Sequence, residues 1–202
     1  AAGLAHEMKN PLAGIKTSLQ LLLSDDLEKE FSDRLSRVIV RDIDRLDFLL
    51  KDFLIFARPK AASPQGLCLA DEIDHVLMPL RLQYPHVRMR IEVGEQPYYF
   101  DRNQFHQILI NLVVNALQAL EGREDPEISI LEDSRDGKRT LTIADNGPGL
   151  ASEMVEKCFD PFVTSKPVGS GLGLAIARRL AAQNATYIDL RNIPTGGTRV
   201  DL

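Results

Sequence analysis

The first 57 residues repeat apolar side chains at a spacing that allows little except a pair of packed helices. In the first stretch the spacing alternates four and three, at Ala1, Ala5, Met8, Leu12, Ile15, Leu19 and Leu22. After a polar break at Ser24, Asp25 and Asp26, a second helix is predicted over 32–57. The same rhythm returns there at Leu35, Ile39, Leu46, Leu49, Phe53 and Phe56. Because this repeat lines one side of a helix with apolar residues, as in coiled coils and helical bundles, it predicts a helical hairpin.

A single hairpin covers only part of such an apolar stripe. Pairing two copies into a four-helix bundle would cover the rest, so the sequence predicts a homodimer. Asp42 stands where the pattern expects an apolar residue. Either the register changes there or the seam between the helices is locally polar.

Beyond the hairpin the pattern changes to alternating strands and helices. Prolines, small residues and a glycine give 58–66 the composition of a linker. We therefore place one domain at 1–59, a linker at 60–66 and a second domain at 67–202. Strands are predicted at 67–69, 87–93, 98–100, 127–131, 139–144, 187–190 and 198–202, and helices at 71–83, 102–121 and 171–184. Since strands mostly follow strands, with a hairpin turn at 133–137, we expect a mixed sheet with helices on one face.

Composition excludes several classes of protein. The 24 basic and 29 acidic residues give a net charge of −5, and no basic block suggests nucleic-acid binding. No apolar run approaches the roughly 20 residues of a membrane span, and no signal peptide is visible. Cys68 and Cys158 lack metal-ligand spacing and indicate free thiols in a reducing compartment, so we expect a cytoplasmic location. Because His6 already lies inside a predicted helix, we interpret the chain as a fragment, which leaves open whether the full-length protein is membrane-anchored.

His6 is the first candidate for chemistry. It follows the seam residue Ala5 and should face solvent, where a histidine is ordinarily only a surface residue. Glu7, however, can polarise the imidazole, as a nitrogen nucleophile requires. Asn10 lies one helical turn further on the same face, and Pro11 breaks the helix hydrogen bonding at a cost of about 3 kcal/mol. These neighbours favour a functional histidine.

Two asparagines share a face of the helix predicted over 102–121. Asn111 and Asn115 are four residues apart and lie among apolar residues, so their amides need partners. They could cap backbone groups of a neighbouring strand. Alternatively, an amide oxygen could complete the coordination of Mg²⁺ held mainly by triphosphate oxygens.

Two glycine-rich turns suggest a nucleotide site. Asp145 ends a predicted strand, and Gly147 and Gly149 would let the chain turn tightly, so its carboxylate could accept a hydrogen bond from adenine. The second turn opens a helix, and its three glycines, Gly169, Gly171 and Gly173, offer backbone amides to an anion. Between the turns lie two aromatic residues, two hydroxyl residues and a lysine: Phe159, Phe162, Thr164, Ser165 and Lys166. Lys166 could meet the terminal phosphates.

Taken together, the five segments resemble the catalytic core of a sensor histidine kinase of two-component signalling. Residues 6–12 resemble the phospho-acceptor box, 111–116 the asparagine box and 145–149 the first glycine box. Residues 159–166 resemble the phenylalanine box and 169–174 the second glycine box. All five occur in the family's order. The FARP ending of the second helix, the short lid and the HExxNP pattern look most like the nitrogen-regulation branch.

The resemblance implies an α + α/β protein: a dimeric four-helix bundle followed by an α/β sandwich of the Bergerat type. It implies ATP and Mg²⁺ as cofactors, with Asn115 as metal ligand, autophosphorylation of His6 assisted by Glu7, and transfer to an aspartate of a response regulator. It also implies phosphatase activity toward that regulator, with Asn10 as the matching residue. Nucleotide contacts carried over by motif are Asn111, Asn115, Asp145, Gly147, Gly149, Phe159, Phe162, Thr164, Ser165, Lys166, Gly169, Gly171, Leu172 and Gly173.

The alternative function is that of a related ATPase that uses ATP to drive conformational change. Those ATPases place a glutamate four residues before the metal-binding asparagine, as base for the attacking water. Here that position is Asn111, whose uncharged amide is a poor proton acceptor. The sequence therefore favours the kinase. A non-catalytic scaffold that only binds nucleotide would need neither Glu7 nor Lys166.

Overall fold

The structure is a computed structural model that describes residues 2–24, 28–57, 60–135, 138–164 and 170–202. The chain divides into two compact units. The first contains Ala1–Pro59 together with Phe162–Leu172, and the second contains Lys60–Pro161 together with Gly173–Leu202.

The predicted helical hairpin is confirmed in the first unit. Helix α1 spans Ala2–Leu22 and helix α2 spans Lys29–Ala57. Helix α2 begins three residues before the predicted start. The backbone carbonyl of Glu28 accepts the N–H groups of both Phe31 and Ser32, at 3.0 and 3.1 Å, which closes the added turn.

The seam between the two helices is locally polar, which settles the alternatives at Asp42. Leu35, Asp42 and Leu49 are buried in α2 at intervals of seven residues, so the register continues unchanged. On α1, Gly14 faces this carboxylate, and a Cβ added to Gly14 would overlap Asp42 Oδ2. Ser18 is also buried. The glycine therefore makes room for a carboxylate inside a helical seam.

The α1 residues predicted as the seam do not all lie against α2. Leu12 and Leu19 are 53% and 46% exposed, whereas Pro11 and Ser18, one residue earlier in each case, are buried. The apolar stripe is thus wider than the strip that one antiparallel helix covers. Exposed apolar residues continue along α2 at Val40, Ile43, Phe48, Leu50 and Leu54. The prediction that the hairpin buries only part of its stripe is confirmed.

The second unit contains the predicted mixed sheet. Its elements in chain order are β1 (Gln65–Leu67), α3 (Leu69–Gln83), β2 (Arg88–Glu92), β3 (Tyr98–Phe100), α4 (Arg102–Ala119), β4 (Glu127–Arg135), β5 (Lys138–Asp145), α5 (Ser152–Lys157), α6 (Gly173–Gln183), β6 (Asp189–Asn192) and β7 (Thr198–Asp201). The five-stranded sheet has the order β2-β4-β5-β7-β6, and β1 pairs with β3 separately. Only the β2–β4 pair is parallel among these described pairs. Helix α4 packs on β4 and β5 and contacts α3 and α6.

Several predicted bounds were wrong. The first strand is Gln65–Leu67 rather than 67–69, because it pairs along Tyr98–Phe100. The turn predicted at 133–137 begins inside β4, which pairs with β5 as far as Arg135. The short helix α5 was missed because it buries no residue and so shows no apolar period. Strand β6 begins two residues later than predicted, at Asp189, after a highly exposed Tyr187.

Two further sequence predictions concern the cysteines and possible membrane-spanning helices. Both cysteines are free thiols, as predicted, with Cys68 exposed and Cys158 buried. Among helices in the part of the chain that the structure describes, none is long and apolar enough to cross a membrane.

Candidate functional site

Asp145, the last residue of β5, begins the first glycine turn. Its side chain is buried, with 5% of the residue exposed. One carboxylate oxygen, Oδ1, accepts the backbone N–H of Gly147 at 2.8 Å and that of Thr198 at 3.3 Å. The other, Oδ2, accepts the hydroxyl of Thr198. Since an ionised carboxylate offers about four acceptor positions, it can take a further donor such as an exocyclic amine.

The glycines of this turn are required by close packing. A Cβ on Gly147 would lie 2.8 Å from Asp145 Oδ1 and 3.1 Å from the carbonyl oxygen of Ala119 at the end of α4. Gly149 has φ +77°, a conformation that L side chains rarely adopt. Gly197, with φ +98°, packs so closely on Asp145 that an added Cβ would overlap its carbonyl oxygen. The turn is therefore held in one shape by neighbouring backbone.

Three polar residues that support this turn were not predicted from the sequence. Asn146 accepts the N–H of Glu127 at 2.9 Å and donates to the carbonyl of Asp125 at 2.7 Å, which ties the turn to the start of β4. Thr198 and Asn192 reach the turn from β7 and β6. The run Gly-Gly-Thr at 196–198 was the available signal for Thr198, but only its hydrogen bonds in the folded chain show that it faces Asp145.

The asparagines of α4 have different surroundings. Asn111 donates from Nδ2 to the carbonyl of Gly173 at 3.1 Å and accepts from Gln107 at 3.3 Å. Its amide therefore binds backbone at the start of α6. The sequence had suggested a bond to the backbone of a neighbouring strand instead. Asn115 is half-buried one turn further along α4. Its role as a metal ligand stays a prediction.

Two aromatic residues before the second glycine turn are each constrained by a neighbour within their own unit. In the second unit, the guanidinium of Arg178 lies over the ring of Phe159, 5.2 Å from its centroid. In the first unit, Phe162 has φ +66° and donates its N–H to the carbonyl of Gly171 at 3.0 Å. A Cβ on Gly171 would lie 2.7 Å from the carbonyl carbon of Phe162 and 2.8 Å from the nitrogen of Val163. Gly171 is thus required by contact as well as by its φ of +57°.

The second turn also contains a buried hydrogen bond to α2. Ser170 donates its hydroxyl to Asp52 Oδ2 at 2.9 Å and accepts the N–H of Leu172 at 3.2 Å. Asp52, Ser170 and Leu172 are all buried. Burial raises the pKa of the Asp52 carboxyl above 3.8, and the hydrogen bond from Ser170 opposes this shift. Neither Asp52 nor this contact was predicted from the sequence.

Three of the predicted nucleotide contacts lie outside the residues that the structure describes. They are Ser165, Lys166 and Gly169, and their predicted contacts with the nucleotide stay predictions. Thr164 is described and exposed.

The predicted acceptor motif lies in the first half of α1. His6 is part of the helix, although its side chain lies outside what the structure describes. Glu7 is half-buried and Asn10 is exposed, one turn beyond His6. The helix continues through Pro11, which is buried against the hairpin seam.

Three further histidines lie in the second unit. His106 lies 2.6 Å from Glu72, whose other oxygen pairs with Arg102 at 3.0 Å. His75 stacks on His106 with ring centroids 5.2 Å apart, and His86 is exposed. Among the described residues, no group of three or more histidines, cysteines and acidic residues could hold a metal ion.

Comparison with known proteins shows which families the chain resembles. Residues 100–202 match the family described as Histidine kinase-, DNA gyrase B-, and HSP90-like ATPase, and residues 1–62 match the His Kinase A (phospho-acceptor) domain. The chain is 30% identical to the signal transduction histidine-protein kinase AtoS of Escherichia coli (strain K12), covering 100% of this chain and 33% of AtoS. It is 32% identical to the sensory histidine kinase/phosphatase NtrB of Rhizobium meliloti (strain 1021), covering 94% of this chain and 53% of NtrB.

A solved structure shows the same fold. Histidine kinase ThkA, determined in complex with response regulator protein TrrA, superimposes with a TM-score of 0.81 at 23% identity, over 99% of this chain and 59% of that chain. The chain belongs to the family of histidine kinase-, DNA gyrase B- and HSP90-like ATPases, and its two matched domains are those of a sensor histidine kinase catalytic core. Residues 100–202 thus belong to an ATP-binding domain. The chain spans only about a third to a half of these curated relatives.

Proposed function

We propose that this chain is the catalytic core of a protein-histidine kinase that uses ATP to phosphorylate His6. The observation that carries the proposal is the turn at Asp145: a buried carboxylate, fixed by Gly147 and Thr198, inside the matched ATPase family region. In this proposal 1–59 is the dimerisation and phosphotransfer domain, 60–66 the linker and 67–202 the ATP-binding domain.

The residues of the first turn fit adenine. Asp145 retains acceptor capacity after its bonds to Gly147 and Thr198. The missing side chains at Gly147 and Gly149 let a flat ring approach the backbone. Phe159, held against Arg178, offers an apolar surface in the same unit.

The residues that the sequence predicts for the phosphate end of the nucleotide are Lys166, the glycines of the second turn and Asn115. We assign the amide of Asn115 to Mg²⁺, a hard cation that prefers oxygen ligands. When bound with the triphosphate, Mg²⁺ would supply neutralisation of phosphate charge. Lys166 and the glycine amides would orient the terminal phosphate, and phosphoryl transfer depends chiefly on such positioning and charge stabilisation. The remaining predicted nucleotide contacts belong to the same proposal.

On α1, an imidazole nitrogen of His6 would form a bond to the terminal phosphorus of ATP while the bond from that phosphorus to the bridging oxygen breaks and ADP leaves. Glu7 would accept or screen the imidazole proton. We further propose that two copies pair through the exposed apolar face of the hairpin and that the phosphohistidine passes its phosphoryl group to an aspartate of a response regulator. ThkA, which has the same fold, was determined in complex with a regulator of this kind.

The direct test incubates the protein with γ-labelled ATP and Mg²⁺. Wild-type protein should acquire label that is lost in acid and retained in alkali, as expected of phosphohistidine. His6→Gln should lose labelling while ATP binding persists, and the exposed His86→Gln should label like wild type. Acid-stable label, or label that survives His6→Gln, would contradict the proposal.

An ATPase that drives conformational change is the competing function. It needs a base for water, and the position occupied by Asn111 offers an amide already engaged with Gly173 and Gln107. Steady release of phosphate that continues unchanged in His6→Gln would favour this alternative.

The phosphatase activity is a separate part of the proposal. Asn10 is exposed one helical turn beyond His6, so its amide can orient a water toward an aspartyl phosphate docked on the same face. Because Asn10 positions water rather than accepting the phosphoryl group, Asn10→Ala should keep substantial autophosphorylation and lose phosphatase activity. Equal loss of both activities would make Asn10 a structural helix residue.

A further inference from the structure

Asn192, the last residue of β6, binds the first glycine turn through both ends of its amide. Its Oδ1 accepts the N–H of Leu150 at 2.8 Å, and its Nδ2 donates to the carbonyl of the same residue at 2.7 Å. The side-chain amide of Asn192 thus binds both the N–H and the carbonyl of Leu150, as a paired residue on a neighbouring β-strand would. These two bonds fix both the position and the orientation of the backbone that directly follows Gly149.

This pairing is not forced by burial. Asn192 is exposed, so its amide could bind water at little cost. Instead it lies where a side chain of Gly149 would be, because a Cβ there would come within 3.0 Å of Asn192 Oδ1. The missing side chain at Gly149 and the amide of Asn192 therefore form a complementary pair.

The same β hairpin also holds the other end of the turn. Asn192 pairs with Thr198 across β6 and β7. Thr198 in turn donates its hydroxyl to Asp145, so the two ends of 145–150 are attached to adjacent positions of one hairpin. A single rigid element thus fixes the turn at its carboxylate and at its exit.

We propose that Asn192 is a positioning residue for nucleotide binding. It does not contact the nucleotide; it holds Gly149 and Leu150 so that the turn is already shaped for the base before the ligand arrives. This inference rests on the proposed function, in which Asp145 receives adenine. Since only the base end is affected, loss of Asn192 should weaken ATP and ADP by the same factor.

The experiment titrates Mg-ATP and ADP into wild type and Asn192→Ala by calorimetry and records the melting temperature of each protein. Losing the preorganisation from these two hydrogen bonds should raise both dissociation constants about tenfold, with the melting temperature close to wild type. Asn192→Asp, which keeps the acceptor for Leu150 but loses the donor, should lie between them.

Asn184 provides a matched control, because its amide also binds backbone twice in the same unit. It accepts from the N–H of Asp101 at 2.8 Å and donates to the carbonyl of Leu180 at 2.9 Å, away from the turn. Asn184→Ala should lower the melting temperature and leave nucleotide affinity unchanged.

The possible failures are distinguishable. If wild type binds ATP and Asn192→Ala binds it equally well, the positioning role is overturned while the proposed function stands. A loss for ATP alone, with ADP unchanged, also overturns it. If wild type binds neither nucleotide, the proposed function fails and this inference fails with it.

Discussion

The two glycine-rich turns look alike in sequence but are held in different ways. The first, at 145–149, lies wholly in the second unit and is fixed by neighbouring strands through Asn146, Asn192 and Thr198. The second is divided: Ser170–Leu172 belongs to the unit of the helical hairpin, and Gly173 to the other. Its buried side-chain bond runs from Ser170 to Asp52 of α2.

A glycine-rich motif therefore does not by itself determine how firmly a turn is held by its neighbours. The first turn is attached to the strands of a sheet by side-chain hydrogen bonds. The shape of the second depends on a carboxyl group of the hairpin whose pKa is raised by burial. We therefore expect changes in the first turn to lower stability or nucleotide affinity, and changes in the second to act on the described residues 162–164 and 170–172.

The largest effect should come from Gly197→Ala. An added Cβ would overlap the carbonyl oxygen of Asp145, and the position has φ +98°. Strain and overlap together should lower the free energy of unfolding by about 3 kcal/mol or more. Urea unfolding measures this. Gly122→Ala is the control: its φ is +77° with no atom within 4 Å, so it should lose only about 1 kcal/mol. Equal losses in the two variants would show that the first turn is not tightly packed.

Gly171→Ala should have a smaller and more local effect. The added Cβ would meet the backbone of Phe162 and Val163, at 2.7 and 2.8 Å, and should break the bond from the Phe162 N–H to Gly171. Hydrogen exchange at Phe162 should therefore become faster. Gly173→Ala, whose Cβ would lie 3.8 Å from Asn111, should leave this exchange unchanged. Exchange that stays slow in Gly171→Ala would mean that the second turn adapts easily.

The smallest effect should come from Asp52→Asn. Because the folded-state pKa of Asp52 is raised above 3.8, the native state favours its protonated form. The stability that this preference contributes is fully present below 3.8 and is lost as the pH rises through the folded-state pKa. The neutral amide can still accept from Ser170, so the variant should match wild type in acid and become the more stable protein toward neutral pH.

Urea unfolding at a series of pH values checks this, with the exposed Asp44→Asn on the same helix as control. If the free energy of unfolding differed between Asp52→Asn and wild type by the same amount at all pH values, the proposed pKa shift of Asp52 would be contradicted.

The features predicted correctly from the sequence are those that a local pattern of residues determines. The heptad spacing identified both helices of the hairpin, and the strand-end aspartate with its glycines identified the first turn. Predicted bounds failed where pairing rather than periodicity decides, as at β1 and β6. The supporting residues were missed because they are distant in sequence: Ser170 and Asp52 are 118 residues apart, and Thr198 and Asp145 are 53 apart. No local pattern reports such partners; only the order of strands and the packing of helices do.

The central claim is that Asp145 in a preformed turn is the nucleotide contact, and calorimetric titration of ATP into Asp145→Asn tests it most directly. The amide can still accept from the Gly147 N–H and can donate to the Thr198 hydroxyl, so the fold should persist. It loses the charged acceptor for adenine, and affinity should fall at least about tenfold. Asp101→Asn, which alters the carboxylate that caps α4, should bind ATP like wild type. Unchanged affinity in a folded Asp145→Asn protein would contradict the account.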